Sequence, residues 1–169
     1  MNKPPFKSAL VILLCITILS CSTNENNDEN PDEGSFFSPP HAYIYDENIV
    51  DDHESDLAIM LSNKDLLPDN ISSGINILYV DYRGVDFDSG EKELYNYRIT
   101  ENASRVNGYI QGGTRLLEDN YNSDLNASQI SFTINSISST NISFTYSFTR
   151  LDGEIFSGNY SGAYINLNE

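Results

Sequence analysis

From Ser35 to the C-terminus no stretch carries the 3.6-residue apolar period of an amphipathic helix. Apolar side chains alternate or come in short runs, and Gly, Asn, Asp, Ser and Pro bound those runs. Eight strands are expected, at 42–46, 56–62, 75–82, 93–99, 105–111, 129–136, 140–150 and 154–166. Leu57 to Leu61 and Ile75 to Tyr82 are apolar on both faces, as central strands are. Segments 63–74 and 118–128, rich in turn residues, read as loops. Short strands without intervening helices predict an all-β domain over 35–169. The expected form is an antiparallel β-sandwich with a C-terminal three-strand meander; the alternative is a lipocalin-like meander barrel.

The last forty residues specify a register. Ile130, Phe132 and Ile134 share one strand face, as do Ile142, Phe144, Tyr146 and Phe148. In the final strand Phe156, Tyr160 and Tyr164 share a face with Gly158 and Gly162. A three-residue loop, Leu151-Asp152-Gly153, sets Phe148 against Phe156, Tyr146 against Gly158, Phe144 against Tyr160 and Ile142 against Gly162. Aromatics then lie over strand glycines, a stabilising arrangement, and Gly153 takes the left-handed position. A loop at Ile137-Ser138-Ser139 would pair Ile134 with Ile142, Phe132 with Phe144 and Ile130 with Tyr146. Thr133, Ser143, Thr145 and Ser147 would form the opposite, polar face.

The N-terminus is built differently. Lys3 and Lys7 precede an apolar run, Ala9 to Leu19. As a helix it would extend about 16 Å, about half of a hydrocarbon core, so residues 1–20 read as a signal peptide. Ile18-Leu19-Ser20-Cys21 resembles the bacterial lipobox. The resemblance implies cleavage before Cys21, diacylglycerol on its sulfur and acylation of the new N-terminus. Several acyl chains hold a protein on a bilayer where one would not. Residues 22–34 contain no apolar side chain and five acids, Glu25, Asp28, Glu29, Asp32 and Glu33. Such a segment reads as a solvated tether. Ser22 after the cysteine resembles lipoproteins sent to the outer membrane. The acidic run is similar to the surface-export signal of Bacteroidota lipoproteins. A periplasm-facing anchor is the alternative.

Charge narrows the partners. The chain has 9 basic and 25 acidic residues, a net −16. Loss of residues 1–20 removes Lys3 and Lys7 and no acid, so the balance becomes more negative still. Nucleic acid needs Lys/Arg neutralisation of its phosphates, so no nucleic-acid partner is expected. Both cysteines, Cys15 and Cys21, lie near the N-terminus, which leaves none for a disulfide or thiolate site in the domain.

Candidate chemistry is sparse. Asp46, Glu47, Asp51, Asp52, His53, Glu54 and Asp56 form the densest polar cluster. Of these, Asp51, Asp52, His53, Glu54 and Asp56 are the metal candidates, most plausibly for Ca²⁺, which takes six to eight oxygens. A solvated acidic loop is the simpler explanation, so no cofactor is expected beyond the lipid on Cys21. Asp81, Asp86, Asp88 and Glu91 resemble a calcium loop, but Gly90 stands at the third ligand position. His41 and His53 are the only histidines, and no Gly-x-Ser-x-Gly elbow appears. No catalytic residue is assigned, and the chain is expected not to be an enzyme. Asn70, Asn102, Asn126, Asn141 and Asn159 begin Asn-x-Ser sequons that read as products of Asn/Ser richness. Exposed tyrosines could stack on sugar rings. Gly112-Gly113 reads as a turn or bulge.

The segment from Phe148 to Gly162, with its Asp-Gly turn and Gly-x-Tyr-x-Gly ending, resembles the closing hairpin of small surface lipoproteins of flavobacterial-type Bacteroidota. Together with the lipobox and acidic tether, the resemblance implies a membrane-anchored, surface-exposed lipoprotein. The expected role is a non-catalytic binding or adhesion module for a glycan or protein. The alternatives are a structural envelope lipoprotein without a ligand and, less favoured, a small secreted hydrolase.

Overall fold

The computed structural model describes residues 36–46, 56–83 and 88–168, all within one compact unit, Pro31–Glu169. The side chains of Asp46, Asp56 and Arg83 fall outside that description, as do the leader, Cys21 and the tether. Among the described residues no helix is long and apolar enough to cross a membrane. The strands are β1 (His41–Asp46), β2 (Asp56–Ser62), β3 (Ile71–Arg83), β4 (Gly90–Glu91), β5 (Leu94–Val106), β6 (Tyr109–Gln111), β7 (Thr114–Glu118), β8 (Ala127–Ile137), β9 (Asn141–Arg150) and β10 (Ile155–Asn166).

All ten strands belong to one open mixed sheet. Its order is β4-β8-β9-β10-β1-β2-β3-β5-β6, with β7 also on β5. The all-β class and the C-terminal meander are as the sequence predicts. The finer picture changes in two respects. The layers of the expected sandwich are halves of a continuous sheet, joined by a parallel pair: Ala42, Tyr43 and Ile44 of β1 lie opposite Tyr164, Ile165 and Asn166 of β10. The alternative, a closed meander barrel, does not form.

The sheet curls on itself. β5 and β9 lie five places apart in the strand order, which in a flat sheet means about 24 Å. The rings of Tyr97 (β5) and Phe148 (β9) nevertheless stand with centroids 5.4 Å apart. One core therefore draws on both halves. Ile44, Leu57, Ile59, Leu78, Val80, Tyr97 and Ile99 come from one half; Phe132, Ile134, Phe144, Phe148 and Tyr160 come from the other. Burying each of the larger side chains stabilises the fold by roughly 1.5–3 kcal/mol.

The both-faced apolar strands β2 and β3 are explained by a second, smaller core. On the outer face Tyr43, Leu66, Ile75, Ile77 and Ala103 pack together. The buried Tyr43 hydroxyl accepts the Leu66 N–H (2.7 Å) and donates to Asp65 Oδ1 (2.9 Å). That pair folds the 63–70 loop over the sheet. Burial pushes the Tyr43 hydroxyl up to about 12.

The meander tests the predicted register. β9 and β10 pair as expected: Phe148 with Phe156, Tyr146 with Gly158, Phe144 with Tyr160, Ile142 with Gly162. The Arg150 N–H bonds to the Glu154 carbonyl (2.8 Å), and Gly153 closes the loop at φ 91°. A Cβ on Gly158 would sit 2.6 Å from Tyr146 Oη and 2.9 Å from its Cζ, so the ring occupies the space a side chain would need. The β8–β9 register is corrected by two residues. Ile134 faces Phe144, Phe132 faces Tyr146 and Ile130 faces Phe148. β8 runs on to Ile137 with an irregularity between Ile134 and Ser136, and the turn lies at 138–140. A shift of two leaves every side chain on its own face, so apolar patterning does not distinguish the two registers.

Elsewhere β5 runs through to Val106. Asn107 and Gly108, at φ 51° and 83°, turn it into β6 within what read as one strand, 105–111. Gly112 and Gly113, at φ 67° and 77°, lead into β7, a strand the sequence reading missed along with β4. His41 opens β1 opposite Ser62.

Phe144 is fully buried, so Phe144→Ala should lower unfolding free energy by about 3–5 kcal/mol. Gly158→Ala should cost about 1–3 kcal/mol by overpacking against Tyr146, whereas exposed Thr145→Ala should stay within about 0.5 kcal/mol. Denaturant melts of the three variants check this order.

Candidate binding surfaces

The predicted metal residues do not form a described site. Asp51, Asp52, His53 and Glu54 lie outside the described residues, as do Glu47 and Asp86. The β1–β2 hairpin does bring the two ends of that acidic segment together, with Asp46 opposite Leu57 next to Asp56. The second acidic cluster disperses. Asp81 is buried within β3, Asp88 pairs with Lys92, and Glu91 sits on β4 opposite Thr133. Among the described residues no three His, Cys, Asp or Glu side chains gather where a metal ion could be held.

The sequons have local structural work. Asn70 Oδ1 accepts the Asn107 N–H at 3.1 Å and steadies the β5–β6 turn. Asn102, at φ 51°, accepts the Gly74 N–H at 3.0 Å. Asn126 Oδ1 takes the Ala127 N–H at 2.8 Å and the hydroxyl of Tyr97. Local hydrogen bonding of this kind is a common use of asparagine in turns. The exposed tyrosines do not make one platform. Tyr45 lies in β1, Tyr95 is the second residue of β5, Tyr109 begins β6, and Tyr121 lies in the loop after β7.

Two clefts are bordered by described residues. The first, about 570 Å³, is lined by Glu91, Lys92, Glu93, Leu94 and Ile130. It opens where the chain leaves β8. The Lys92 N–H bonds to the Phe132 carbonyl (2.8 Å), and two residues later Leu94 already faces Tyr82 in the β3–β5 ladder. The Lys92 ammonium pairs with the Asp88 carboxylate and stands 5.4 Å from the centroid of the Tyr82 ring. Tyr82 is buried, and its hydroxyl, pushed up by burial, has no hydrogen-bond partner among the described residues. Ile130 was expected on the buried face. It is on that face by register but 42% exposed, while Phe132 and Ile134 on the same face are 0% exposed. The cause is that β4 flanks β8 only at 133–134.

The second cleft, about 410 Å³, is lined by Asp124, Leu125, Arg150, Leu151 and Asp152. Arg150 organises it. Its guanidinium donates to Asp152 Oδ1 (3.0 Å) and Oδ2 (2.6 Å), to the Glu154 carboxylate and to the Leu116 carbonyl (2.7 Å), and it lies over the Phe156 ring. This clamp ties the β9–β10 turn to β7, in the other half of the sheet. The three-residue loop sets Arg150 opposite Glu154; the reach to Leu116 depends on the curl, which no local pattern encodes. Comparison with known proteins finds no matching family model, no similar curated protein and no similar solved structure.

The Arg150 hydrogen bond holds the Asp152 carboxyl down to about 2. A lowered folded-state value stabilises the fold above the ordinary carboxylate range, and the contribution is lost as pH falls from about 4 through about 2. A carboxyl NMR titration should place Asp152 near pH 2 in the native chain, and Arg150→Met should return it toward the ordinary carboxylate range. An unchanged midpoint in the variant would contradict the clamp.

Proposed function

We propose that the chain is a lipid-anchored lipoprotein displayed on the outer membrane, most simply facing the cell exterior, and that its β domain is a non-catalytic binding module for a protein or glycan. The observation that carries the anchor is Ile18-Leu19-Ser20-Cys21 followed by thirteen residues without an apolar side chain. In this reading the bilayer is the first partner, through acyl chains on Cys21. The acidic segment holds the domain off the surface by self-repulsion.

Support for binding comes from the clefts. The first combines exposed carboxylates with an exposed isoleucine and holds no histidine or hydroxyl among its lining residues. The Arg150 guanidinium in the second cleft is already engaged by Asp152, Glu154 and Leu116.

Expression of the native chain and Cys21→Ala in a diderm bacterium tests the anchor. The native chain should partition with outer membranes, and its domain should be digested by protease added to intact cells. Cys21→Ala should remain uncleaved or leave the membrane fraction. Unchanged processing and detergent partitioning in Cys21→Ala would overturn the anchor. Protection from protease on intact cells would turn the reading to the periplasmic face. On the binding side, the full chain in liposomes should retain at least one class in an array of glycans and of basic and acidic proteins, without altering it. Retention of none would favour a structural role.

A further inference from the structure

We propose that the free edge of β8 receives an extended, basic segment of a partner protein, added as a strand beside residues 128–131. This rests on the binding-module reading and narrows its ligand from glycan or protein to a peptide segment of stated charge.

The edge is the first observation. β8 spans Ala127–Ile137 and is paired along its length with β9. On its other side, among the described residues, the ladder consists of Gly90 opposite Ile134, Glu91 opposite Thr133 and the Lys92 N–H on the Phe132 carbonyl. The flanking chain then diverges to join β5. Backbone groups alternate between the two sides of a strand. Because the Phe132 carbonyl faces β4, Ile130, two residues away, directs its N–H and C=O to that same side. Unpaired strand edges are ready templates for another chain.

The cleft is the second. It adjoins this edge, and its apolar lining is Leu94 and Ile130. Ile130 is the uncovered member of a row whose neighbours are fully buried. An added strand would continue the row, placing an apolar side chain on Ile130 and Leu94.

Charge is the third. The one cation among the described lining residues, Lys92, is neutralised by Asp88 and rests against Tyr82. Glu91 and Glu93 are exposed at the same cleft, in a chain of net −16. Basic side chains on the incoming strand meet these carboxylates, and the field of the whole molecule steers a cation toward them. In strand addition the main-chain hydrogen bonds supply affinity and alternate side chains supply selectivity. Alternating apolar and basic residues are therefore the pattern this edge reads.

The test uses the full chain in detergent micelles and a capped peptide of alternating lysine and valine, with a glutamate-valine counterpart as control. Hydrogen exchange is followed at residues 128–132. The Ile130 amide should exchange readily in the free chain and slow by at least about tenfold when the lysine-valine peptide is added. Binding should weaken as salt rises from about 50 to about 300 mM. The same peptide methylated on consecutive backbone nitrogens, which blocks both of its edges, should not bind, and Ile130→Pro should lose binding. The methylated peptide decides the matter even where the proline variant fails to fold. An Ile130 amide already slow in the free chain would overturn the proposal, because the edge would then be covered. Equal binding of the glutamate-valine peptide would overturn it, as would binding that leaves Ile130 unchanged. Retention of some other ligand on the liposome array, with exchange at 128–132 unaltered, would remove this edge while leaving the binding-module reading intact.

Discussion

The contact between Tyr97 and Phe148 joins strands that a flat sheet would hold far apart, and the rest of the molecule depends on it. A single open sheet of ten strands has two faces to cover and, among the described residues, no helix to cover them. Curling brings the β1-β2-β3-β5 half over the β8-β9-β10 half, so each supplies the other's apolar layer. Around the Tyr97–Phe148 pair gather further ring contacts: Phe132 with Phe144 at 5.3 Å, Phe144 with Tyr160 at 5.7 Å and Tyr146 with Phe148 at 6.0 Å. The polar end of Tyr97 is used as well. Its hydroxyl accepts the Ala127 N–H at 3.0 Å, where β8 begins. Burial raises the Tyr97 hydroxyl above its ordinary range, and its proton goes to Asn126 Oδ1.

The curl also locates the candidate sites. Arg150 reaches Leu116 only because the β9–β10 turn lies beside β7. The first cleft arises where the flanking chain leaves β8 to join β5 in the opposite half. Both clefts thus lie where a segment from one half meets the other. The hydroxyl-rich outer face of the meander, carrying Thr145, Ser147 and Ser157, stays in contact with water, as an antiparallel sheet covered on one face allows.

Legibility in the sequence followed the range of the information needed. The β9–β10 register was readable because aromatics and glycines are complementary in size and a one-residue slip would throw the aromatics of the two strands onto opposite faces. The β8–β9 register was not. A two-residue offset preserves the faces, and the irregularity near Ser136 depends on packing. Asn107-Gly108 carried a hairpin signal inside a run that also alternated, so alternation alone hid the turn. The parallel β1–β10 pair joins the first and last described strands, and no local pattern encodes it. Of the candidate sites, Ile130 was readable as a core-facing residue, but its exposure follows from the shortness of β4. Lys92 carried no signal at all, because its role comes from Asp88 and Tyr82 meeting it in space. The acidic segment 51–54 and Cys21 lie outside the described residues, so the structure neither adds to nor subtracts from those expectations.

A double-mutant cycle on Tyr97 and Phe148 tests the shared core most directly. Tyr97→Ala, Phe148→Ala and the double variant would be unfolded in denaturant beside the native chain. If the two halves face each other as described, the pair should show a coupling of about 0.5–1.5 kcal/mol, the range for aromatic partners in contact. Strict additivity of the two substitutions would mean that the rings do not touch, and that the sheet does not curl into a common core.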